Sequence, residues 1–552
     1  MTTRLQDHVA IVGGGPVGLM TALFLDQFGV KSVVFNKDPD TRHYPKGSTE
    51  NARTMEHFRR VGLAGAMRKL GLPYDHPTDV AYFTRLNGPE LARLRMPSEK
   101  DIDARRAAAA FDDQQPEPIF RANQMFIDPV LLAHARTRPS ITIAFGVTVD
   151  AISEQDGGVD IETIADATGA QERWRFPYAV GADGAQGVVR RALGISYGGH
   201  EDLKQAFHGG RMVSTHIRSR DLHEKVLSKR LAWQYWTLNP QVRSVILSVN
   251  GRDEYALFSR PKDDEPLPDA DAVRRVVRLC AGMDLDVEVL AQSPWNSGVA
   301  RVVDTMQQSR IFLAGDSAHL FTPTGGFGMN TGVDDASNLA WKLAGAMQGW
   351  AGPNLLASYD IERKAIAWRN TTAARELAKR IGGLSLPANI EEMNPAGEQA
   401  RRDLGAFLSG NEPQFGSAGV QLGARYDHSP IVFSDAPAPP DVHETYYPTS
   451  VPGGRAPHLW LGETRGAGDS LFDRMGAAFT LVRRGDDDGE GERLAHAARA
   501  SGLPIDLLAI PERAAHLYER RYTLVRPDQH VAWRSDRLDG GSLDMIRKCA
   551  GW

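Results

Sequence analysis

Residues 8–36, HVAIVGGGPVGLMTALFLDQFGVKSVVFN, constrain the chain more than any other stretch. An apolar β-type run at residues 9–12 enters the glycine turn GGGPVG. A helical pattern with Leu19, Leu23 and Leu25 follows, and a β-branched run at residues 33–35 closes a βαβ unit of about 30 residues. In such a unit Gly13 makes the tight turn, Gly15 lets the backbone approach a pyrophosphate, and Gly18 lets helix and strand pack closely. The helix opened by Pro16 and Val17 offers free N–H groups and a positive dipole end to the phosphates. Asn36, followed by Lys37, stands where an acid ordinarily accepts hydrogen bonds from a ribose diol. An amide still accepts one such bond. The unit therefore predicts a dinucleotide site and leaves open which dinucleotide.

At 552 residues the chain exceeds one core, and two or three domains are expected. A charged fraction of 24% and a net charge of -5 give no reason to expect a nucleic-acid partner. Cys280 and Cys549 are too few and too far apart for a CxxC redox pair or a cysteine-rich zinc site, and no metal is expected. So few cysteines fit a reducing compartment. There is no uncharged apolar run of membrane-spanning length, and the first apolar run enters the glycine turn instead of a cleavage site. A soluble, cytoplasmic enzyme without a membrane partner is the expectation.

The loop after Asn36 runs beside the nucleotide cleft, so Lys46 and Arg53 are placed either to meet phosphate and ribose or to be solvated helix-end cations. Gln124 precedes an expected helix from Asp128, an apolar strand ends at Gly181, and Asp183-Gly184 sits where it turns before a helix containing Arg190. Alternating runs such as LAWQYWTL and VRSVILSV predict a multi-stranded sheet. On it Arg211, His216, Trp233 and Tyr235 either face a planar ligand or simply pack the sheet. Asp316 stands at the carboxyl end of a strand at residues 311–314. The glycine-rich loop 323–328 then leads into a helix expected over about residues 330–347, with Asp334 and Asp335 in its first turn. Gly, Pro, Asn and Glu mark a linker before a last domain with strands at 478–482, 505–510 and 522–525.

The segments GGGPVG, GADG and AGDSAH...PTGGFGMNTG, in this order, resemble those of the single-component FAD-dependent aromatic hydroxylases, the class A flavoprotein monooxygenases. PGGRAPH and LVRPDQHVAWR are similar to the thioredoxin-like third domain of the phenol hydroxylase branch. The resemblance implies an α/β fold with a Rossmann-like FAD-binding domain (1–75, 111–200 and 296–380) and an interleaved β-sheet substrate domain (76–110 and 201–295). A linker (381–420) and a thioredoxin-like C-terminal domain (421–552) complete it. It also implies that Gly13, Gly15, Pro16, Val17, Gly18, Asn36 and Lys37 hold the ADP part of FAD, and that Lys46, Arg53 and Gln124 contact ribose, pyrophosphate or ribityl groups. Asp183 lies in a motif shared by FAD and NAD(P)H, and Asp316 binds the ribityl chain. Pro323, Gly326, Gly328, Met329 and Asn330 run along the isoalloxazine, and Arg211, Trp233, Tyr235, Trp295, Pro323 and Gly325 are expected around the substrate.

By the same resemblance NAD(P)H reduces the flavin, O2 adds at C4a, and the resulting hydroperoxide hydroxylates an electron-rich ring. Ser48 occupies a position where some relatives carry a His or Asp proton acceptor. Serine is a poor base, so the role is expected to fall to His208, His216, Tyr235 or a water chain. Lys46 for Arg, Asn36 for an acid and Gly187 for Ser are departures from the family pattern. A homodimer is expected, with the last domain stabilising or dimerising. Two alternatives share the fold: epoxidation, Baeyer–Villiger or polyketide tailoring chemistry, and an FAD-dependent reductase or non-catalytic flavoprotein.

Overall fold

The computed structural model describes residues 2–108, 113–200, 211–261, 266–296, 299–462, 465–466, 468–486 and 489–552. The strand His8–Val12 pairs in parallel with Lys31–Asn36 on one side and Tyr178–Gly181 on the other, and Ile311–Leu313 continues the sheet beyond the latter. These strands are almost continuously buried, as expected where both faces of a parallel sheet are covered. Val12, Gly181 and Leu313 lie in one register row. The chain therefore leaves three neighbouring strands at the same level, which brings Gly13, Asp183 and Asp316 to one edge although they are far apart in sequence. Helix Pro16–Gln27 packs against helix Phe327–Gln348 beside this sheet.

A second sheet has the order Glu288–Asn296, Arg211–Arg218, Glu254–Ser259, Arg243–Ser248, Gln234–Leu238, Val80–Phe83, Glu90–Leu94. Alternation divides its side chains cleanly. Tyr82, Met212, Trp236, Val245 and Ala256 belong to one buried layer. Ala81, Ile217, Tyr235, Ile246 and Leu257 belong to another, which packs on helix Ala270–Ala281.

The first layer is closed by a stretch expected to be a linker. Within it, helix Pro395–Ser409 buries Leu404 and Leu408 against the sheet. Asn394 and Pro395, which read as loop punctuation, are in fact this helix's start. The Asn394 side chain accepts from Gly397 N at 2.9 Å, and proline fits the first helical position because its missing N–H is not needed there.

The last part of the chain places Phe479–Arg484 parallel to Ile505–Ile510 across helix Glu490–Ala500. Tyr522–Val525 and Val531–Ser535 follow antiparallel, and helix Ser542–Cys549 closes a thioredoxin-like arrangement. Buried ions join this unit to the first. Arg526 reaches both Glu362 oxygens, at 2.7 and 2.8 Å, and Asp528 at 2.6 Å. Lys342 Nζ lies 2.6 Å from Glu362, and Arg455 meets Glu56 at 2.5 and 3.0 Å. The cations overcome the burial that would raise Glu362, holding it well below the usual carboxylate range. Burial pulls Lys342 down to about 8.

Breaking a buried pair leaves uncompensated charge and costs about 3–5 kcal/mol. Glu362→Gln should therefore lower stability by about 3–5 kcal/mol in chemical denaturation, because it strands Lys342 and leaves Arg526 with Asp528 alone. An unchanged midpoint would show that the two parts are not joined through these ions.

Candidate functional site

The glycine turn is shaped by close approach. Gly13 has φ +111°, and a Cβ there would lie 2.2 Å from the carbonyl oxygen of Ala182. A Cβ on Gly18 would lie 1.9 Å from Gly13 O, which is the tight helix–strand contact expected of the third glycine. Gly15 faces open space and begins helix Pro16–Gln27 with no side-chain cap. Its first N–H groups are therefore available to an anion. Asn36 Oδ1 accepts from Gly14 N at 3.1 Å while Nδ2 donates to Asp38 O at 2.9 Å. This explains an amide where an acid is usual, since a carboxylate could not donate the second bond. Lys37 follows it and is exposed.

Lys46 Nζ stands 3.4 Å from Asp316 Oδ2, with both side chains about half exposed at the cleft. Gln124 begins helix Gln124–Arg136 and accepts from Gly47 N at 3.4 Å. Asp183 accepts from Ser317 Oγ at 2.9 Å and from Val189 N at 3.0 Å, so it caps helix Val188–Ala192 and links two strand ends. Burial raises its pKa despite these bonds. A Cβ at Gly187 would lie 2.1 Å from the Asp183 carboxylate, which accounts for glycine there.

The loop from Pro323 has Gly325 at φ +84° and Gly326 at φ +67°. Helix Phe327–Gln348 starts at residue 327, three residues before the expected start, because Gly326 supplies the left-handed turn into it. Gly328 and Met329 are thus helical. Asn330 Nδ2 donates to Gly326 O at 2.6 Å and Thr49 O at 2.9 Å, and Oδ1 accepts from Asn51 N at 2.9 Å. One amide thereby ties the segment around half-buried Ser48 to the glycine loop. Asp334 and Asp335 lie about two turns into the helix, not in its first turn. Asp335 accepts from Gly315 N at 3.1 Å, His319 Nε2 at 2.7 Å and Arg363 Nε at 2.7 Å.

Several expected residues are placed elsewhere. Arg53 is buried and turned toward the C-terminal unit, donating to Asp528 O, Gln529 and Glu56 at 2.8 Å each, so it is not presented to the cleft. Tyr235 lies on the sheet face turned to helix Ala270–Ala281, where its hydroxyl oxygen accepts from Ala232 N at 2.8 Å. Strand alternation put it there, one residue out of phase with Trp236. His216 is buried with Nε2 3.1 Å from Glu254, and its cross-strand neighbour Ala256 belongs to the opposite layer from Tyr235. Burial lowers its pKa despite Glu254. Trp233 is buried in that same layer, against Phe415. Arg211 begins its strand. Trp295 pairs in register with Met212, its side chain outside the described residues, and His208 lies wholly outside them.

Sequence reasoning missed Arg121, Glu50 and the Asp335–Arg363 pair. Glu50 is fully buried, accepts from Ala122 N at 3.2 Å and is pushed up to about 8 by burial. A lone charge flanked by apolar residues, as in IFRAN, was the available signal.

The uncapped helix start at Gly15, the Lys46–Asp316 pair and the glycine loop make one cleft, with N–H donors at one end and hydroxyl acceptors along it. These groups suit a dinucleotide with a polyhydroxyl chain. Among the described residues no helix is long and apolar enough to cross a membrane, and no group of acidic, His or Cys side chains could hold a metal ion.

Comparison with known proteins agrees with this geometry. The FAD binding domain family matches residues 6–374, and the aromatic-ring hydroxylase C-terminal family matches residues 449–550. The chain belongs to the FAD-dependent aromatic-ring hydroxylases, the class A flavin monooxygenases. It is 32% identical to the FAD-dependent monooxygenase apdD of Emericella nidulans, covering 96% of this chain and 88% of that one. It is 33% identical to a putative polyketide hydroxylase of Streptomyces halstedii, covering 96% and 93%. The fold superposes on RebC with bound 7-carboxy-K252c at a TM-score of 0.89, 31% identity and full coverage of both chains.

Asp316→Ala should weaken FAD binding by about 1.5–3 kcal/mol, the worth of hydrogen bonds to a charged acceptor. Titration of apoprotein with FAD, followed by flavin fluorescence, measures this. Unchanged affinity would place Asp316 outside the site.

Proposed function

We propose that the protein is an NAD(P)H- and dioxygen-dependent monooxygenase that hydroxylates a phenolic ring within an extended, polyketide-like aromatic. The observation that carries this is the junction of two surfaces. The glycine loop and the uncapped start of helix Phe327–Gln348 meet, through Thr49, a buried layer holding Tyr82, Trp233 and Trp236. A Cβ on Gly326 would lie 3.0 Å from Thr49, so a flat ring on the loop side sits close to that layer. The likeness to a putative polyketide hydroxylase favours a polyketide-like aromatic over a simple phenol.

When bound and reduced, FAD supplies the electrons and the oxygen activation. Gly15 and the start of its helix bind the diphosphate, while Lys46, Gln124 and Asp316 orient the chain between diphosphate and ring. The backbone N–H groups opening helix Phe327–Gln348 stabilise negative charge on the ring edge. The aromatic layer excludes water from the reacting face.

The substrate's hydroxyl proton needs an acceptor. Ser48 is a poor base and Tyr235 faces the wrong layer. His216 is assigned here, because its lowered pKa leaves it neutral near pH 7 and Glu254 orients the ring. NAD(P)H has no second dinucleotide fold among the described residues and is assigned a transient encounter at the cleft.

The test is NAD(P)H oxidation and oxygen uptake by the purified flavoprotein with a panel of hydroxylated naphthalenes and anthraquinones. Oxidation should rise at least ~10-fold with the right ring, about 1.4 kcal/mol in barrier, and yield a product heavier by one oxygen atom. His216→Gln should slow product formation while leaving FAD content unchanged. A yellow protein that never consumes oxygen with any ring would contradict the reading.

A further inference from the structure

The layer between the seven-stranded sheet and residues 411–416 buries more polar capacity than it satisfies. Arg121 is 4% exposed. One terminal nitrogen donates to Thr49 Oγ1 and the other to Phe415 O, both at 2.6 Å, and the guanidinium lies 4.3 Å from the centre of the Trp233 ring. Nε has no hydrogen-bond partner, and among the described residues no carboxylate stands within ion-pair distance of this side chain. The acid acting on it through space is Glu50, which burial itself holds near neutrality by pushing it up to about 8. A buried cation without a counter-charge is costly, and native interiors rarely keep one.

Two further groups share the layer. The Tyr82 hydroxyl and the Asn411 side-chain amide are buried against one another, and neither the hydroxyl nor the amide nitrogen has any other partner. Tyr82 packs on Trp236, ring centres 5.7 Å apart. An apolar, aromatic-walled layer with a few unsatisfied, convergent polar groups has the character of a ligand site. Thr49, the acceptor of one Arg121 bond, is also the residue that meets Gly326 of the glycine loop, so this polar centre borders the reacting face.

We propose that Arg121 selects aromatic substrates carrying an anionic oxygen group, a carboxylate or phenolate, with Tyr82 and Asn411 binding a second oxygen of the same molecule. The proposal rests on the reading above that the substrate ring occupies this sheet face. The anion supplies the counter-charge that Glu50 does not. Entry requires residues 411–416 to move off the Trp233 ring, and Arg121 then exchanges the Phe415 carbonyl for the ligand's oxygens. That exchange replaces one carbonyl bond by two charge-assisted ones, through the freed terminal nitrogen and the unpartnered Nε. A guanidinium suits the task because its planar fork meets a carboxylate with two parallel bonds.

The test titrates the FAD-loaded protein at pH 7 with 1-hydroxy-2-naphthoate and its neutral isostere 1-hydroxy-2-naphthamide, following the flavin absorbance. The wild type should bind the carboxylate at least ~10-fold more tightly than the amide, the size of one charge-assisted pair. Arg121→Gln should bring the two within ~2-fold, through loss of carboxylate affinity alone. Should that variant fail to fold, Arg121→Lys decides: losing the fork should weaken carboxylate binding at least ~5-fold and leave the amide unchanged. No preference in the wild type, including binding of neither probe, overturns the proposal. A preference that survives both substitutions overturns it equally. FAD content and aromatic-stimulated oxygen uptake are read on the same preparations. The monooxygenase reading fails on those, and the anion reading fails on the affinity ratio.

Discussion

The cofactor cleft depends on one buried ion pair, Asp335 with Arg363. The Asp335 carboxylate collects Gly315 N, His319 Nε2 and Arg363 Nε, so a single side chain pins the strand-end turn carrying Asp316 to the helix that begins at the glycine loop. Arg363 also reaches Asp334, the carbonyl of Thr331 and the Tyr426 hydroxyl. Both partners are fully buried. Their charges are affordable only because nearly every donor and acceptor is met, the condition under which an interior ion pair confers geometry without great loss of stability.

The same logic explains the C-terminal unit. Its one cysteine, Cys549, is buried, with burial pushing the thiol up to about 12, so the unit offers no thiol chemistry. What it does offer is charge in the right places. Arg526 and Arg455 enter the first unit and meet Glu362 and Glu56, and Asp528 accepts from Asn338 Nδ2 at 3.2 Å. Glu362 sits one residue from Arg363 on the same helix, Asn354–Gly382, so the ionic bond that docks the last unit is continuous with the one that sets the cleft. Arg53 belongs to this junction, and its assignment to the cofactor failed for that reason.

What was legible in the sequence was what local rules control. The βαβ unit and the strand that leads to Asp316 follow from glycine spacing and apolar periodicity. Tyr235 was misplaced because its strand is buried on both faces, so neither phase of the alternation carries a polar signature. Helix Pro395–Ser409 was hidden because an Asn-Pro start is written in the same residues as a loop. Arg121 offered only the hint of its apolar flanks, and Glu50 and Arg363 offered none, for a deeper reason. A buried charge is identified by partners far off in the chain, 28 residues for Arg363 with Asp335 and 294 for Arg121 with Phe415, and no local window contains them.

The most direct measurement is the FAD dissociation constant of Asp335→Asn, taken beside far-ultraviolet circular dichroism of the same sample. The amide keeps the shape but loses the charge shared among three donors. If the pair sets the cleft, FAD affinity falls at least ~10-fold while the dichroism stays that of the wild type, a loss of about 1.4 kcal/mol. Wild-type affinity in a folded Asp335→Asn protein would contradict the claim that this ion pair holds the two walls together.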